Sequence, residues 1–332
     1  MDIEKKIAVI GGGSWATAIV KILCNNCEQV NWWVRNKETA DYIIKYHHNP
    51  NYISSVEFGA EKINVSSELK EVVSKSEVLI MAVPSAFLKN SLKEISKDDL
   101  KNKIIFSAIK GIVPEHNLII AEFFNRVYGM PIENIGILAG PSHAEEVAME
   151  KLSYLTIASQ NTENAKFLAE KLSCRYIKTT VSDDIYGTEY SAVMKNIIAI
   201  AAGICHGLGY GDNFLSVLIS SGIREIKRFV DAVHPIGRDI NDSAYLGDLL
   251  VTAYSQFSRN RTFGSMIGKG YSAKTAMMEM NMVAEGYYGA RCVHEINKKH
   301  NTDLPITEAV HRILYEKISP VVEMRLLSDK LC

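Results

Sequence analysis

Ile7-Ala-Val-Ile-Gly-Gly-Gly-Ser-Trp-Ala16 joins a short apolar run to three glycines. The apolar run predicts a buried strand, and residues 15–23 predict a helix directly after the turn. Gly11, Gly13 and Ala16 fit the pattern G-x-G-x-x-G/A. In that pattern the first glycine permits the tight turn, the second admits a pyrophosphate, and the third position packs helix on sheet. This context predicts a dinucleotide-binding turn, with a glycine-rich turn in an ordinary α/β domain as the alternative.

The remainder of the chain divides by its hydrophobic pattern. Further strands are predicted at 30–34, 78–83, 104–108, 135–139, 152–159 and 174–179, with helices at 38–46, 85–95, 116–127 and 163–172. After residue 182 the strand patterns stop, and helices are predicted at 186–206, 213–232, 243–255, 273–297 and 305–325. The fold class is therefore α/β, with an N-terminal Rossmann-like doubly wound parallel sheet and a C-terminal all-α domain. We place the dinucleotide-binding domain at 1–185 and the helical substrate domain at 186–332.

The composition argues against proteins that bind nucleic acid or membranes. A chain of 332 residues suggests two domains, at roughly 150 residues each. Its 37 basic and 38 acidic residues give a net charge of -1, which does not favour a general nucleic-acid or membrane-surface binder. The longest apolar run, 197–205, is shorter than the roughly 18 residues of a membrane span. We therefore expect a cytoplasmic protein that binds neither nucleic acid nor membrane.

The six cysteines are scattered along the chain, which suits a reducing compartment. Cys24 and Cys27 form the one close pair, and no second Cys or His pair follows at ligand spacing. We interpret the pair as incidental and expect no metal site.

The residue that follows the second predicted strand bears on coenzyme choice. An NAD-type turn expects an acidic side chain there for the ribose 2′-hydroxyl, whereas this chain has Arg35. A guanidinium can accept a 2′-phosphate or stack on adenine. We therefore expect NADP(H) to be preferred, with NAD(H) also usable. A solvated arginine at a strand end is the alternative.

Polar residues follow two other strand ends in the first half. Lys110 comes after the strand at 104–108, and the segment from Gly140 to Glu146 comes after the strand at 135–139. Ligands of open α/β sheets bind at the carboxyl ends of the strands. Ser142 with Glu145 also matches a capping box, which by itself would explain Ser142.

The helical half contains two further candidates for chemistry. Lys195 and Asn196 stand directly before the apolar, small-residue stretch 197–203 of a predicted helix, and a lysine is seldom fully buried without a partner. Asp248 and Thr252 share a helix face four residues apart. Arg259 is suited to bidentate binding of a phosphate. A snorkelling Lys195 and an exposed charged loop at 258–261 are the alternatives.

Several spaced motifs occur together and in order, and they make a family resemblance specific. They are the stretch 11–18, Lys110-Gly111, Ala139-Gly-Pro-Ser-His-Ala-Glu145, Lys195-Asn196, Gly207-Leu-Gly-Tyr-Gly-Asp-Asn213, Gly247-Asp-Leu249 and Ser258-Arg-Asn-Arg261. From residue 7 to about residue 290 the chain resembles the bacterial-type NAD(P)-dependent glycerol-3-phosphate dehydrogenases. One departure is Ala16, where the family usually has glycine.

The resemblance implies an oxidoreductase that interconverts sn-glycerol 3-phosphate and dihydroxyacetone phosphate and supplies the phospholipid backbone. It implies Lys195 as general acid/base. The other residues implied to contact substrate are Lys110, Gly140, Ser142, Asp248, Ser258, Arg259 and Asn260. Those implied to bind the dinucleotide are Gly11, Gly13, Ser14, Trp15, Arg35, Lys110, Ala144, Arg259, Val283 and Glu285. A homodimer is compatible with this interpretation.

Two other functions remain open at this point. One is a related β-hydroxyacid dehydrogenase of the 6-phosphogluconate or hydroxyisobutyrate type, which shares the architecture and a catalytic lysine. The Ser258-Arg-Asn-Arg261 motif argues against it. The other is a catalytically silent dinucleotide-binding sensor, which would not need Lys195, Asp248 and Arg259 together.

Overall fold

The computed structural model describes residues 5–280 and 283–331, which group into two compact units. The first comprises the residues up to Ile109 together with Ile120–Ile185. The second comprises Lys110–Ile119 together with the residues from Tyr186 onward. The predicted fold class is confirmed, since strands and helices alternate in the first unit and the second is almost entirely helical.

The first unit is built on one open sheet. In chain order the strands of the described residues are β1 Ile7–Ile10, β2 Val30–Trp33, β3 Ile63–Ser66, β4 Val78–Met81, β5 Ile104–Ser107, β6 Ile112–Val113, β7 Leu118–Ile119, β8 Ile135–Ala139, β9 Ser153–Ser159 and β10 Ile177–Ser182. Strands β6 and β7 belong to the second unit, and the other eight form the sheet of the first. The sheet has the order β10-β9-β8-β5-β4-β1-β2-β3. Strands β1, β4, β5 and β8 are parallel, so they end at the same edge.

Helices connect these strands. They are α1 Ser14–Leu23, α2 Lys37–Tyr46, α3 Leu69–Ser74, α4 Ser85–Ser91, α5 Ile120–Tyr128, α6 Ala144–Ala148 and α7 Thr162–Leu172. The sequence did not reveal β3 and α3, because β3 has only two apolar residues and α3 is short. The sheet is also not entirely parallel, since β8 and β9 pair antiparallel. The connection between them carries only the five-residue α6, whereas parallel pairing needs a full crossover.

The second unit surrounds one central helix. Its helices are α8 Ile185–Gly207, α9 Asp212–Val233, α10 Asp248–Tyr254, α11 Arg259–Gly268, α12 Ala273–Glu279, α13 Glu285–His300, α14 Pro305–Tyr315 and α15 Pro320–Ser328. Residues 187–205 of α8 are all buried, including the polar Glu189, Lys195 and Asn196, as expected for the central helix of a unit. Among the described residues no helix is long and apolar enough to cross a membrane.

A buried carboxylate fixes one helix of this unit. Glu225 of α9 accepts the backbone N–H groups of Ile306 and Thr307, each at 2.8 Å, and the Thr307 hydroxyl at 2.6 Å. These N–H groups belong to the first turn of α14, where helical donors have no partner within the helix. Glu225 therefore anchors the start of α14 to α9.

The second unit contains one segment that the domain boundaries predicted from the sequence assign to the first. Residues Lys110–Ile119 belong to the helical unit, although they lie within the predicted domain 1–185. They form the antiparallel hairpin of β6 and β7, in which Ile112 pairs with Ile119. Both isoleucines are fully buried in the helical core, which explains why the hairpin groups with the helices.

Two helix predictions and one loop alternative also change. The predicted helix 273–297 is two helices, α12 and α13, and residues 281–282 lie outside the described part. The predicted helix 305–325 is also two, since α14 ends at Tyr315 and Pro320 begins α15. Residues 258–261, for which an exposed loop was the alternative, form the start of α11 instead.

Candidate active site

The glycine turn follows β1 as predicted, and its geometry requires glycine at position 11. Gly11 has φ +144°, and a Cβ there would lie 2.5 Å from the carbonyl oxygen of Ala82 at the end of β4. A Cβ on Gly13 would meet nothing within 4 Å. Helix α1 begins directly afterwards at Ser14 and has no acidic residue in its first turn. Its first N–H groups therefore suit an anion such as a pyrophosphate.

Two buried side chains hold this turn in place. The indole Nε1 of Trp32 on β2 donates to the Gly11 carbonyl at 2.7 Å. The Asn49 amide donates to the Gly12 carbonyl at 3.0 Å and to the Thr17 hydroxyl at 2.9 Å. The sequence analysis identified neither residue. No local pattern could have done so, because both act on a turn more than 20 positions away.

Three other residues predicted to bind the dinucleotide, Ser14, Trp15 and Arg35, lie in α1 and just after β2. Ser14 and Ala16 are buried in the first turn of α1, and Trp15 is half-buried. The Ala16 methyl is accommodated with no exposed surface. Arg35 is exposed just after β2, and the equally exposed Lys37 follows at the start of α2. Two cationic side chains therefore follow β2, with Glu38 next in the first turn of α2, and the guanidinium can accept a 2′-phosphate.

The segment after β8 is a second tight turn at the same edge of the sheet. Gly140 has φ +113°, and a Cβ there would lie 2.6 Å from the Tyr154 carbonyl oxygen. The Ser142 hydroxyl donates to the Gly140 carbonyl at 3.0 Å. The capping-box interpretation of Ser142 is wrong, because α6 begins at Ala144 with His143 at its N-cap.

In the helical unit, three predicted residues form one buried ionic cluster. Lys195 of α8 donates to the Asp248 carboxylate and, at 3.0 Å, to the Thr252 hydroxyl. Lys110 reaches the same carboxylate at 3.1 and 3.3 Å. The side chains of Lys195 and Asp248 are 4% and 1% exposed, and that of Lys110 is 19% exposed. The snorkelling alternative for Lys195 is therefore wrong.

Local bonds position each member of the cluster. Asp248 and Thr252 are one turn apart on α10, and the Thr252 hydroxyl donates to the Asp248 carbonyl at 2.6 Å. The Asn196 amide donates to the Lys110 carbonyl at 2.8 Å, so α8 holds the second lysine by its backbone. Lys195 uses two of its three N–H groups within the described residues. The third is available to a ligand oxygen.

Burial and the neighbouring charges of the cluster together determine the pKa of Lys195. Burial lowers the pKa of Lys195, because the ammonium loses its water. Asp248 opposes that effect, Lys110 adds to it, and the resulting pKa is about 7. Burial would raise the pKa of Asp248, but Lys110 and Lys195 outweigh it and hold this pKa below its usual value. With two ammonium groups and one carboxylate, the protonated cluster carries an excess positive charge that suits an anionic or developing oxyanion ligand.

Close backbone packing brings α11 and α13 against α8 near this cluster. A Cβ on Gly264 of α11 would lie 2.1 Å from the Ile200 carbonyl oxygen, and one on Gly286 of α13 would lie 2.6 Å from that of Asn196. Gly203 and Gly207, like Gly264 and Gly268, repeat glycine at a spacing of four along a helix. That spacing was a usable signal, since it places small residues on one helix face.

The predicted phosphate-binding residues begin α11. The Ser258 hydroxyl caps the helix by accepting the Arg261 N–H at 3.3 Å, and half-buried Arg259 occupies the first helical position. Asn260 accepts the Gly286 N–H at 2.9 Å, which ties α11 to the start of α13. Gly286 lies against Asn196, so Asn260 is held close to the helical turn that carries Lys195.

The last two predicted dinucleotide residues, Val283 and Glu285, flank the start of α13 and are both half-buried. Within the helical unit the structure therefore brings Lys110, Lys195 and Asp248 into contact, with Asn260 nearby. Within the first unit it places the glycine turn and Gly140 at the same edge of one sheet.

Two family models match the chain. The model of the NAD-dependent glycerol-3-phosphate dehydrogenase N-terminus matches residues 6–165. The model of the C-terminus of the same family matches residues 184–324. Together they span both units.

Curated relatives are similar over nearly their whole length. The glycerol-3-phosphate dehydrogenase [NAD(P)+] of Staphylococcus carnosus is 33% identical over 327 residues, which is 98% of each chain. The protein of the same name from Oceanobacillus iheyensis is 35% identical over 328 residues, covering 98% of this chain and 95% of that protein.

Solved structures agree with these relatives. Glycerol-3-phosphate dehydrogenase from Coxiella burnetii superposes with a TM-score of 0.90 at 30% identity, covering 97% of this chain and 98% of that one. D-mandelate dehydrogenase in complex with NADH reaches a TM-score of 0.58 at 17% identity, covering 94% and 98% of the two chains. At 17% identity this second similarity shows a shared fold and nothing more.

Proposed function

The chain belongs to the NAD-dependent glycerol-3-phosphate dehydrogenase family, and on that premise we propose that it interconverts sn-glycerol 3-phosphate and dihydroxyacetone phosphate with NAD(P)(H). It is an NAD(P)-dependent oxidoreductase with a phosphate-bearing small-molecule substrate. The observation that carries this proposal is the buried contact of Lys195 with Asp248 and of Asp248 with Lys110.

Lys195 acts as the general acid in reduction and the general base in oxidation. When bound, the nicotinamide supplies or accepts the hydride at the substrate carbon. As the carbonyl is reduced, negative charge develops on its oxygen, and Lys195 Nζ donates a proton to it. Asp248 and Thr252 hold Nζ in position, and Lys110 contributes a second positive charge. In oxidation the neutral Lys195 takes the hydroxyl proton.

Other residues are assigned to the phosphate group of the substrate and to the rest of the substrate molecule. Arg259 offers a planar pair of donors for the phosphate, and Ser258 and Asn260 fix the helix start that presents it. Holding the phosphate would keep the distant carbonyl in register for reaction. We assign Gly140 and Ser142 to the substrate as well, on the basis of their motif.

The dinucleotide is assigned to ten residues, those of the glycine turn because that turn suits an anion and the others on the basis of the family resemblance. They are Gly11, Gly13, Ser14, Trp15, Arg35, Lys110, Ala144, Arg259, Val283 and Glu285. We propose a preference for NADP(H), which exposed Arg35 and Lys37 support by their charge. We further propose that the enzyme works in the cytoplasm as a homodimer and supplies glycerol 3-phosphate for phospholipid synthesis. The scattered cysteines support the reducing compartment.

The proposal is tested by mixing the purified protein with dihydroxyacetone phosphate and either NADPH or NADH. We expect the absorbance of the reduced nicotinamide to fall with both coenzymes and faster with NADPH. Faster oxidation of NADH would overturn the coenzyme preference alone. If neither coenzyme is oxidised by a protein that still binds dinucleotide, the proposed reaction is wrong.

Trp32→Phe is expected to weaken dinucleotide binding about 5- to 10-fold, or about 1–1.4 kcal/mol, because the turn is no longer held by this bond and an unsatisfied buried carbonyl costs at least about 1 kcal/mol. The carbonyl concerned is that of Gly11, which loses its partner when the indole N–H is removed. The measurement is the Kd for NADPH by fluorescence titration, together with KM for dihydroxyacetone phosphate, which we expect to change less than twofold.

The adjacent Trp33→Phe is the matched control, since its indole donates to Ser67 rather than to the glycine turn. Both tryptophans are buried, so the two variants lose similar packing. Equal weakening of NADPH binding by both variants would contradict a role specific to Trp32.

The pH dependence should have opposite signs in the two directions of reaction. With the pKa of Lys195 lowered to about 7, its ammonium form is lost as pH rises through that value. We therefore expect kcat/KM for ketone reduction to fall above about pH 7, and kcat/KM for alcohol oxidation to rise over the same range. Initial rates from pH 5.5 to 9.5 measure both limbs, and parallel profiles in the two directions would contradict the role of Lys195.

A further inference from the structure

A histidine-rich cluster outside the proposed active site joins α13 to α14. His294 of α13 contacts both carboxylate oxygens of Glu308 through Nδ1, at 2.9 and 3.0 Å. The ring of His311, one turn along α14 from Glu308, stacks on that of His294 with centroids 3.9 Å apart. One ligand atom from each of the three residues lies within 4.8 Å of the others.

The contact with Glu308 accounts for the polar group of His294, whereas the ring stacks of His311 on His294 and Tyr315 leave its ring nitrogen Nδ1 unaccounted for. His311 is only 8% exposed, yet its Nδ1 is buried without a hydrogen-bond partner in the described part of the chain. The carboxylate nearest to that nitrogen is Glu316, at 3.5 Å. That contact does not form a hydrogen bond, and a buried ring nitrogen without one costs free energy that a bound ligand would recover.

The donor set is that of a transition-metal ion. Two imidazoles with one carboxylate are a common zinc ligand set, and Glu-x-x-His recurs in metal sites built between the helices of bundles. Glu308 and His311 have that spacing. The side chains of His294 and Glu308 are 23% and 27% exposed, which leaves a path from solvent.

We propose that His294, Glu308 and His311 form a binding site for one divalent transition-metal ion, with Zn²⁺ as its probe. Zinc bonds of about 2.0–2.2 Å require the three ligand atoms to close to roughly 3.3 Å from one another. Rotation of the two rings out of their stack provides that closure, and it turns His311 Nδ1 toward the ion. Glu316 or water completes the coordination. Bound metal would join α13 to α14 and so stabilise the helical unit.

The test is a zinc titration of chelator-stripped protein by calorimetry, with thermal unfolding in parallel. We expect about one Zn²⁺ per chain with a micromolar or tighter Kd, and a Tm raised by several degrees under saturating zinc. His311→Phe keeps a stacking ring but removes the ligand nitrogen, and it should weaken zinc binding at least tenfold and abolish the Tm shift.

His234→Phe is the control, because His234 is a half-buried histidine outside the cluster whose ring also contacts a tyrosine, Tyr186, with centroids 4.8 Å apart. It should bind zinc as the unaltered chain does. Glu308→Gln provides a second test if His311→Phe does not fold. The proposal is overturned if the unaltered chain binds no zinc below about 100 µM. It is also overturned if His311→Phe and Glu308→Gln bind zinc as tightly as the unaltered chain does. The stripped protein should keep its dehydrogenase activity, so the two proposals fail separately.

Discussion

Lys195→Met is expected to lower kcat by about 10³-fold or more while changing dinucleotide affinity less than threefold. General acid–base catalysis contributes about 10²–10⁴-fold, and this lysine also supplies positive charge where the oxyanion develops. Methionine has a similar length without the charge, and Asp248 retains Lys110 as its partner. The protein should therefore fold, bind the coenzyme and fail in chemistry.

The measurement is kcat for dihydroxyacetone phosphate reduction beside the Kd for NADPH. Lys103→Met is the control, because it removes a partly buried lysine that donates to the Ser76 carbonyl in the other unit. It should leave kcat within about twofold. A Lys195→Met enzyme with kcat within about tenfold of the unaltered chain would remove Lys195 from the mechanism.

Asp248→Asn should impair both stability and catalysis, because it leaves two ammonium groups without their shared carboxylate. Breaking a buried ion pair by removing one partner costs about 3–5 kcal/mol. We expect a loss of unfolding free energy near the lower end of that range, since Lys195 can relieve the repulsion by losing its proton. Denaturant unfolding measures this effect.

The same substitution should shift the pH profile. Asp248 raises the pKa of Lys195, so its removal lowers that pKa further and moves the fall in reductive kcat/KM to lower pH. At pH 7.5 we expect a loss of about 10²-fold, because little of the lysine remains protonated and its orientation is lost. The loss should be smaller at pH 6.

Asp231→Asn is the control for charge. Asp231 also pairs with two cations, Lys227 and Arg238, but its side chain is 35% exposed. Arg238 is only 2% exposed but keeps the His234 carbonyl as a partner, so this variant should lose less unfolding free energy than Asp248→Asn and keep its pH profile. An unchanged pH profile in Asp248→Asn would show that Asp248 does not tune Lys195.

Local sequence patterns were sufficient to predict the fold class and the glycine turn after β1. The apolar run before Gly11, the glycine spacing and the helix that follows are contiguous, so their chemistry can be inferred from neighbouring residues. The same holds for the helical character after residue 182. The motifs also pointed to Lys195, Asp248 and Arg259, because each residue type suits its proposed chemistry.

Long-range contacts could not be inferred in this way. Asp248 pairs with Lys110 and Lys195 across 138 and 53 positions, and the pKa of Lys195 depends on those contacts. The hairpin 110–119 joins the helical unit because its isoleucines find a core there. His311 meets His294 only because α13 and α14 fold back on each other. Each of these features depends on burial and charge contributed by distant segments, and those become defined only when the chain is folded.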